Sequence, residues 1–328
     1  MSFISYAQNF EDVMLWRALK NIDRGFYIDV GANDPDHDSV TKAFYERGWR
    51  GINVEPVPQW FELLEKARPR DINLQLALGA EPGAITLYEI PDTGLSTAEK
   101  KIAERHKAER GYQIRELRAM MDTLSGVCER FKLAPIHFLK IDVEGMEKAV
   151  FQGSDLGKIR PWIILVEATL PNSQEASYSD WEPLLLNAGY EYSYFDGLNR
   201  YYVAGEHENL KAAFKTPPNV FDDFVRIDRI ESERRAQEAE AKFKEVEQWA
   251  SQAETRAAQA EAKAAQVEVK AQVAEARAQE AETLARQAEE WTAQAEAILQ
   301  RIFSSRSWRL TQPLRQLAIT ARLLRKKL

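Results

Sequence analysis

Apolar residues in the first 225 positions follow two alternating patterns. GFYIDVG, GINVEP, INLQLALG, IHFLKIDVEG and WIILVEAT are short apolar runs, as expected of strands buried on both faces. Between them, SYAQNFEDVMLWRALKN sets Phe10, Val13, Met14, Leu15 and Leu19 near one face of a helix. SVTKAFYERG, PQWFELLEKAR, DTLSGVCERF, MEKAVFQG and SYSDWEPLLLNAG also read as helices. Ser39 is the expected cap of the second helix and Gly48 its stop, and proline opens the third. ITLYEI predicts a further strand, while EKKIAERHKAERG reads either as a helix or as a mobile lid. Alternation of this kind predicts an α/β domain with a parallel sheet covered on both faces. YEYSYF-DGLN-RYYVAG closes it as a hairpin turning at Asp196-Gly197.

The pattern changes after residue 225. Residues 229–300 contain no Gly and no Pro, and residues 243–302 keep a seven-residue register. One seam position runs Phe243, Ala250, Ala257, Ala264, Ala271, Ala278, Ala285, Thr292, Leu299; the other runs Val246, Ala253, Ala260, Val267, Ala274, Ala281, Ala288, Ala295, Ile302. These are a and d positions of a coiled coil. Every e position from Glu247 to Glu296 is glutamate, and four consecutive g positions are Arg256, Lys263, Lys270 and Arg277. From Ala236 the helix would be ~100 Å long at about 1.5 Å per residue. Self-association through 243–302 is expected to be weak, since alanine layers bury little; the alternative is a lone charged spacer helix.

Charge divides the chain further. The net −7 is about −15 over residues 1–300 and +8 over 301–328. The tail at 303–328 sets Trp308, Leu310, Leu314, Leu317, Ile319, Leu323 and Leu324 among its bases, with Pro313 interrupting it. It can lie on an anionic membrane, each base near the surface adding about 1 kcal/mol, or be a solvated helix end. No nucleic-acid motif accompanies these bases, and no nucleic-acid partner is expected. The N-terminus lacks a basic region followed by an apolar core, so no signal peptide is expected. No apolar run approaches the ~18 residues of a membrane span. Cys128 is the single cysteine, fit for a small buried hydrophobe, and the four histidines show no zinc spacing. A cytoplasmic protein is expected, peripheral at the inner face of the membrane where the tail binds lipid.

In open α/β sheets ligands bind beyond the carboxyl ends of the strands. Asp29, Gly31 and Asn33 stand there after the first strand, Glu55 after the second, Ala77-Leu78-Gly79 after the third, Asp142 and Glu144 after the fourth, and Glu167 after the fifth. A dinucleotide loop would need glycine at 31, 33 and 36, but the sequence has Gly31, Asn33 and Asp36. Asp34, Asp36 and Asp38 would repel a pyrophosphate. S-adenosylmethionine has no phosphate and carries a sulfonium cation, which an acidic loop tolerates. Asp29 can pair with its amino group and Glu55 can accept its ribose hydroxyls.

Asp142 and Glu144 lie two apart and share a face if the chain stays extended. One carboxylate can remove a hydroxyl proton, typically worth about 10²–10⁴-fold. Alternatively the pair can hold a divalent cation such as magnesium, or merely cap the helix after Met146. His37 is a further base candidate or simply an exposed loop histidine. Glu167 is acceptor-side or pairs with a lysine, and Gln8 and Glu11 either close over the cofactor or solubilise the first helix. Trp16, Trp49 and Trp60 read as packing residues and His137 as structural.

YAQNFEDV at 6–13, FYIDVGAN at 26–33, DSVTKAFYERGWRGINVEP at 38–56, ALG at 77–79, GLST at 94–97, FLKIDVEGME at 138–147 and RPWIILVEAT at 160–169 occur in that order. Through them residues 1–225 resemble the FkbM-type S-adenosylmethionine-dependent methyltransferases; DGLNRYYVA at 196–204 and PPNVFDDFV at 217–225 resemble one branch. The resemblance implies a class I methyltransferase Rossmann-like sheet, parallel with a terminal antiparallel hairpin. It implies Asp29, Gly31, Asn33, Glu55 and Leu78 as cofactor residues, and Asp142 and Glu144 on the acceptor side. Many members carry glycine two residues after DVGAN, where this chain has Asp34-Pro35-Asp36. The tail resembles those that follow coiled coils in bacterial surface-glycan enzymes. The expected organisation is a methyltransferase domain at 1–225, an Ala-rich coiled coil at 229–302 and a basic amphipathic tail at 303–328. The expected reaction is O-methyl transfer to a sugar hydroxyl of a surface polysaccharide or glycolipid. The alternative is a catalytically weak module that recruits glycan assembly to the membrane.

Overall fold

The computed structural model describes residues 2–132, 135–171 and 173–325. Its strands are β1 (Phe3–Ser5), β2 (Phe26–Val30), β3 (Arg50–Val54), β4 (Ile72–Leu74), β5 (Ala77–Leu78), β6 (Gly83–Glu89), β7 (Arg115–Asp122), β8 (Phe138–Ile141), β9 (Ile163–Glu167), β10 (Tyr190–Phe195), β11 (Asn199–Ala204) and β12 (Phe224–Arg226). Its helices are α1 (Glu11–Leu19), α2 (Lys42–Glu46), α3 (Pro58–Ala67), α4 (Lys100–Arg110), α5 (Leu124–Phe131), α6 (Glu147–Gln152), α7 (Glu182–Asn187), α8 (Ile227–Ser304), α9 (Arg306–Leu310) and α10 (Gln312–Arg325).

Seven strands form the main sheet in the order β10-β11-β9-β8-β2-β3-β4. The five from β4 to β9 in that order are parallel, and the closing hairpin returns antiparallel through β11. The chain winds outward from β2 to β4, then restarts on the other side at β8. That reversal opens a crevice between β2 and β8. Alternate residues feed opposite faces. Ile28, Leu139, Ile141, Ile164 and Val166 pack with Val127, Val150 and Phe151 on one side. Tyr27, Phe138, Ile163 and Leu165 pack with Met14, Leu15, Phe44 and Trp49 on the other. Cys128 is buried in the first cluster, and burial pushes its thiol up to about 12.

Several local expectations change. INLQLALG is two strands: β4 belongs to the main sheet, and β5 joins a second sheet of order β5-β7-β6. β7, RELRAMMD, was not expected, because this small sheet is half exposed and half of the strand's residues are polar or charged. EKKIAERHKAERG is the helix α4. Ser39 does not cap α2; Thr41 holds that position, and the Ser39 hydroxyl accepts from buried Arg68. A parallel pair, β1 with β12, ties Phe3 to Phe224 at the two ends of the domain.

The chain divides into compact units at 1–235 and 236–328. α8 is one continuous helix of 78 residues with none buried. The break after it falls at Ser305 and again at Thr311, and Pro313 sits in the first turn of α10, where a missing N–H costs nothing. Residues 326–328 of the basic tail, and the side chains of Leu323 and Leu324, lie outside the described residues. Among the described residues no helix is long and apolar enough to cross a membrane.

Candidate active site

β2 ends at Val30 and the chain turns away at Gly31, with φ of 77°. A Cβ there would lie 1.8 Å from the carbonyl oxygen of Asp142, so both the backbone angle and the passing end of β8 require glycine. Asn33 follows in the left-handed region, which asparagine tolerates. The Asp34 side chain accepts from the N–H groups of Asp36 and His37 at 2.7 and 3.0 Å, and Asp36 pairs with Lys42. These two acids build the turn. His37 and Asp38, not they, line the cavity beside it.

That cavity, of about 590 Å³, sits over the carboxyl ends of β2, β3, β8 and β9. The volume suits a cofactor with part of an acceptor. Sheet order sets its two sides. Towards β3 and β4 it is lined by Glu55, Val57, Trp60, Leu76 and Leu78, with Ile85 and Leu87 of β6. Towards β8 and β9 it is lined by Asp142, Glu144, Glu167, Thr169, Ser173 and Gln174. Trp60, read as a packing residue, is therefore part of the cavity wall.

Glu55 is buried, and burial pushes its carboxyl up to about 7. One oxygen accepts from the Asn33 N–H at 2.9 Å, the other from the Val57 N–H at 2.8 Å. Each oxygen keeps a lone pair for a ligand hydroxyl. Gly31, Asn33 and Leu78 line the same cavity.

Asp29 does not. It faces Lys140 across the β2–β8 ladder, and its carboxylate is 3.4 Å from the Lys140 ammonium and 2.9 Å from the Thr41 hydroxyl that donates to it. Lys140 also donates to the Gly31 carbonyl at 2.8 Å and lies 3.3 Å from Asp142. Burial works to lower the lysine's pKa, but Asp29 and Asp142 outweigh it and the net shift is upward. One buried cation thus fixes the end of β2, the glycine turn and Asp142 together. No reading of the motifs had singled out Lys140. The signal was there: a lysine inside an apolar strand covered on both faces needs a partner.

Asp142 and Glu144 are brought together, though not by an extended chain. β8 ends at Ile141, and Glu144 and Gly145 both have positive φ, which swings Glu144 inward. Neither residue caps α6; Glu147 holds the turn instead, accepting from the N–H groups of Val143 and Gly145. The Thr97 hydroxyl donates to the Glu144 carbonyl at 2.7 Å, while Gly94 lies against the Asn33 side chain. GLST therefore braces both halves of the site.

Oxygens of Asp142, Glu144 and Glu167 all lie within 4.8 Å of one another. Burial, then the neighbouring carboxylates, raise Glu144 and Glu167 well above the usual carboxylate range. Among the described residues, one oxygen of Glu144 and the Thr169 hydroxyl are buried without a hydrogen-bond partner. His37 lines the cavity outside this cluster.

The remaining wall joins distant motifs. Gln8, Gly197 and Leu198 line the cavity. Asn199 donates to the buried Glu11 carboxyl at 2.8 Å, and Asn9 donates to the Asp196 carbonyl at 3.1 Å. Glu11 thus ties YAQNFED to the hairpin tip. Burial, then Asp196, pushes it up to about 8.

A sheet wound outward from β2, restarted at β8 and closed by an antiparallel hairpin, with a ligand-sized cavity at the switch point, defines a methyltransferase-type α/β fold. Residues 29–192 match the methyltransferase FkbM domain, half of the chain, and the chain belongs to that family. Two solved structures are similar over part of their length. One is the FkbM methyltransferase of Methylobacillus flagellatus KT, at 13% identity and TM-score 0.36; the match covers 55% of this chain and 44% of that one. The other is a TehB-like SAM-dependent methyltransferase of Corynebacterium glutamicum, at 8% identity and TM-score 0.33, covering 59% of this chain and 87% of that one. The chain thus spans less than half the length of the Methylobacillus protein. No curated protein matches.

The family implies S-adenosylmethionine, and the residues present fit it. An apolar wall beside Glu55 suits an adenosine, and neighbouring carboxylates suit a sulfonium.

Proposed function

We propose that this domain transfers a methyl group from S-adenosylmethionine to a hydroxyl of a sugar, in a bacterial surface polysaccharide or glycolipid. The observation that carries this is the carboxylate cluster of Asp142, Glu144 and Glu167, within 4.8 Å of one another on the polar side of the cavity. When bound, the cofactor supplies an electrophilic methyl group. Glu55 would hold the ribose hydroxyls, and Val57, Trp60, Leu76 and Leu78, which line the same side of the cavity, would enclose the adenine. Asp142 takes the proton of the acceptor hydroxyl as its oxygen attacks. Lys140 keeps Asp142 in place at the end of β8. Burial and then the Asp142 charge favour the protonated forms of Glu144 and Glu167, which makes both available as hydrogen-bond donors beside the acceptor. Amide and hydroxyl side chains at the rim, Gln8, Ser96, Ser173 and Gln174, suit a polyol.

The test is mass spectrometry of surface glycans from cells carrying the intact gene or Asp142→Asn. The variant should lose the mass of one methylene from a sugar. Identical glycans in both would remove Asp142 from the mechanism, and identical glycans after deletion of the gene would overturn the acceptor class. That second outcome would favour a catalytically weak recruiting module.

The unpartnered Glu144 oxygen supports a second reading, in which Asp142, Glu144 and Glu167 hold a divalent cation. Calorimetric titration of the chelator-treated protein with magnesium or manganese tests it. Heat lost in Glu167→Gln supports the reading; no heat from either ion ends it.

A further inference from the structure

The second unit presents a long apolar seam with nothing against it. On α8, Phe243, Val246, Trp249, Val267, Leu284, Trp291, Ile298, Leu299 and Ile302 are all exposed, Trp249 and Trp291 by more than 70%. These nine occupy a, d or g positions of the heptad, while exposed Val269 and Val273 lie at f and c. Large side chains left in water along one seam of a helix mark a contact surface.

The charges say what covers it. Up to Lys244, α8 pairs its charges within the helix at four-residue spacing: Arg229 with Glu233, Arg235 with Glu231, Lys244 with Glu240. That is how an isolated charged helix supports itself. The habit stops over the middle of the seam, at 245–277, and four-residue spacing resumes at Glu282, Arg286 and Glu290. Between Glu245 and Arg277 no acid and base stand three or four residues apart. The spacing there is five: Arg256 to Glu261, Lys263 to Glu268, Lys270 to Glu275, Arg277 to Glu282. Residues five apart do not face one another on a single helix. A g position and the following e position do meet across two parallel helices.

Orientation follows from the same residues. In an antiparallel pair e faces e and g faces g, which would set glutamates against glutamates and bases against bases. In a parallel pair each of the four bases meets a glutamate of the other copy. Axial register follows from the non-alanine layers. A slip of one heptad keeps the charge pairs, but sets Phe243, Val267 and Ile302 of one copy against smaller or unlike side chains of the other.

We propose that residues 243–302 bind a second copy of this chain as a parallel, in-register, two-stranded coiled coil. This does not depend on the catalytic reading. The chain has one cysteine, so full-length protein carrying Cys128→Ser offers a background for placing single thiols. Sedimentation equilibrium across micromolar to millimolar concentrations should give twice 37.6 kDa. Mild oxidation of the Ala260→Cys form should give a disulfide-linked dimer, because the two d positions meet. Replacing Arg256, Lys263, Lys270 and Arg277 by glutamate should weaken association at least tenfold. A monomer at every concentration, a larger assembly, or no disulfide with Ala260→Cys overturns the proposal. Undiminished association of the charge-reversed form overturns the argument for orientation.

Discussion

Lys140→Met removes the cation on which three parts of the site converge. Asp29, only 1% exposed, is left with the Thr41 hydroxyl as its remaining hydrogen-bond donor, and the Gly31 carbonyl loses a 2.8 Å donor. Breaking a buried ion pair by deleting one partner costs about 3–5 kcal/mol. Leaving a buried carbonyl unsatisfied costs about 1–3 kcal/mol, and the Gly31 carbonyl, only partly buried, falls at the low end. The two share one side chain and do not add, so the expected loss is about 4 kcal/mol. Against a typical total of about 5–15 kcal/mol this is large. The assay is urea unfolding followed by the fluorescence of buried Trp49 and Trp181, which report on the α/β unit. Adding Asp29→Asn removes the stranded charge, so the double variant should recover to within about 2 kcal/mol of the parent. A loss below about 1 kcal/mol, or a double variant no more stable than the single, would refute the claim that Lys140 organises the site.

Three further outcomes follow from the same geometry. Gly31→Ala should abolish cofactor binding and lower stability, because the added Cβ meets the Asp142 carbonyl at 1.8 Å and the backbone sits at φ 77°; normal calorimetric affinity would contradict the close approach. Glu55→Ala should weaken S-adenosylmethionine at least tenfold, since it removes two ribose acceptors and strands the Asn33 and Val57 N–H groups. Glu11 has a folded pKa of about 8 against an ordinary 4.5, so its protonated form stabilises the fold below the unfolded pKa and that contribution is lost as pH rises through the folded one. Urea midpoints should therefore fall between these two pH values, and Glu11→Gln should flatten the fall; an equally steep decline in the variant would remove Glu11 as its source.

The fold was legible where burial is complete. β2, β8 and β9 lie between two cores, so their apolar runs announce them, and the Asp196-Gly197 turn announces the antiparallel end. β7 was not legible, because a strand of a small half-exposed sheet has no reason to be apolar. In the site, Gly31 and Glu55 could be read from their places after strands. The proximity of Asp142 to Glu144 depends on a left-handed turn that an extended reading misses. Glu167 joins them only through the pairing of β9 with β8, a contact no local pattern encodes. The sequence left open whether Asp34 and Asp36 touch ligand or shape the turn; they bind the loop's own backbone and Lys42. The acids that line the cavity stand apart from those that shape its entrance.

The central claim is that this cavity holds S-adenosylmethionine on Glu55 and presents an acceptor to Asp142. Isothermal titration of the full-length protein and its Asp142→Asn form with S-adenosylmethionine tests it most directly. Saturable heat is expected in both, with affinities within about threefold, since Asp142 serves the acceptor and a factor of three is under 1 kcal/mol. No heat from the unaltered protein at millimolar ligand would contradict it.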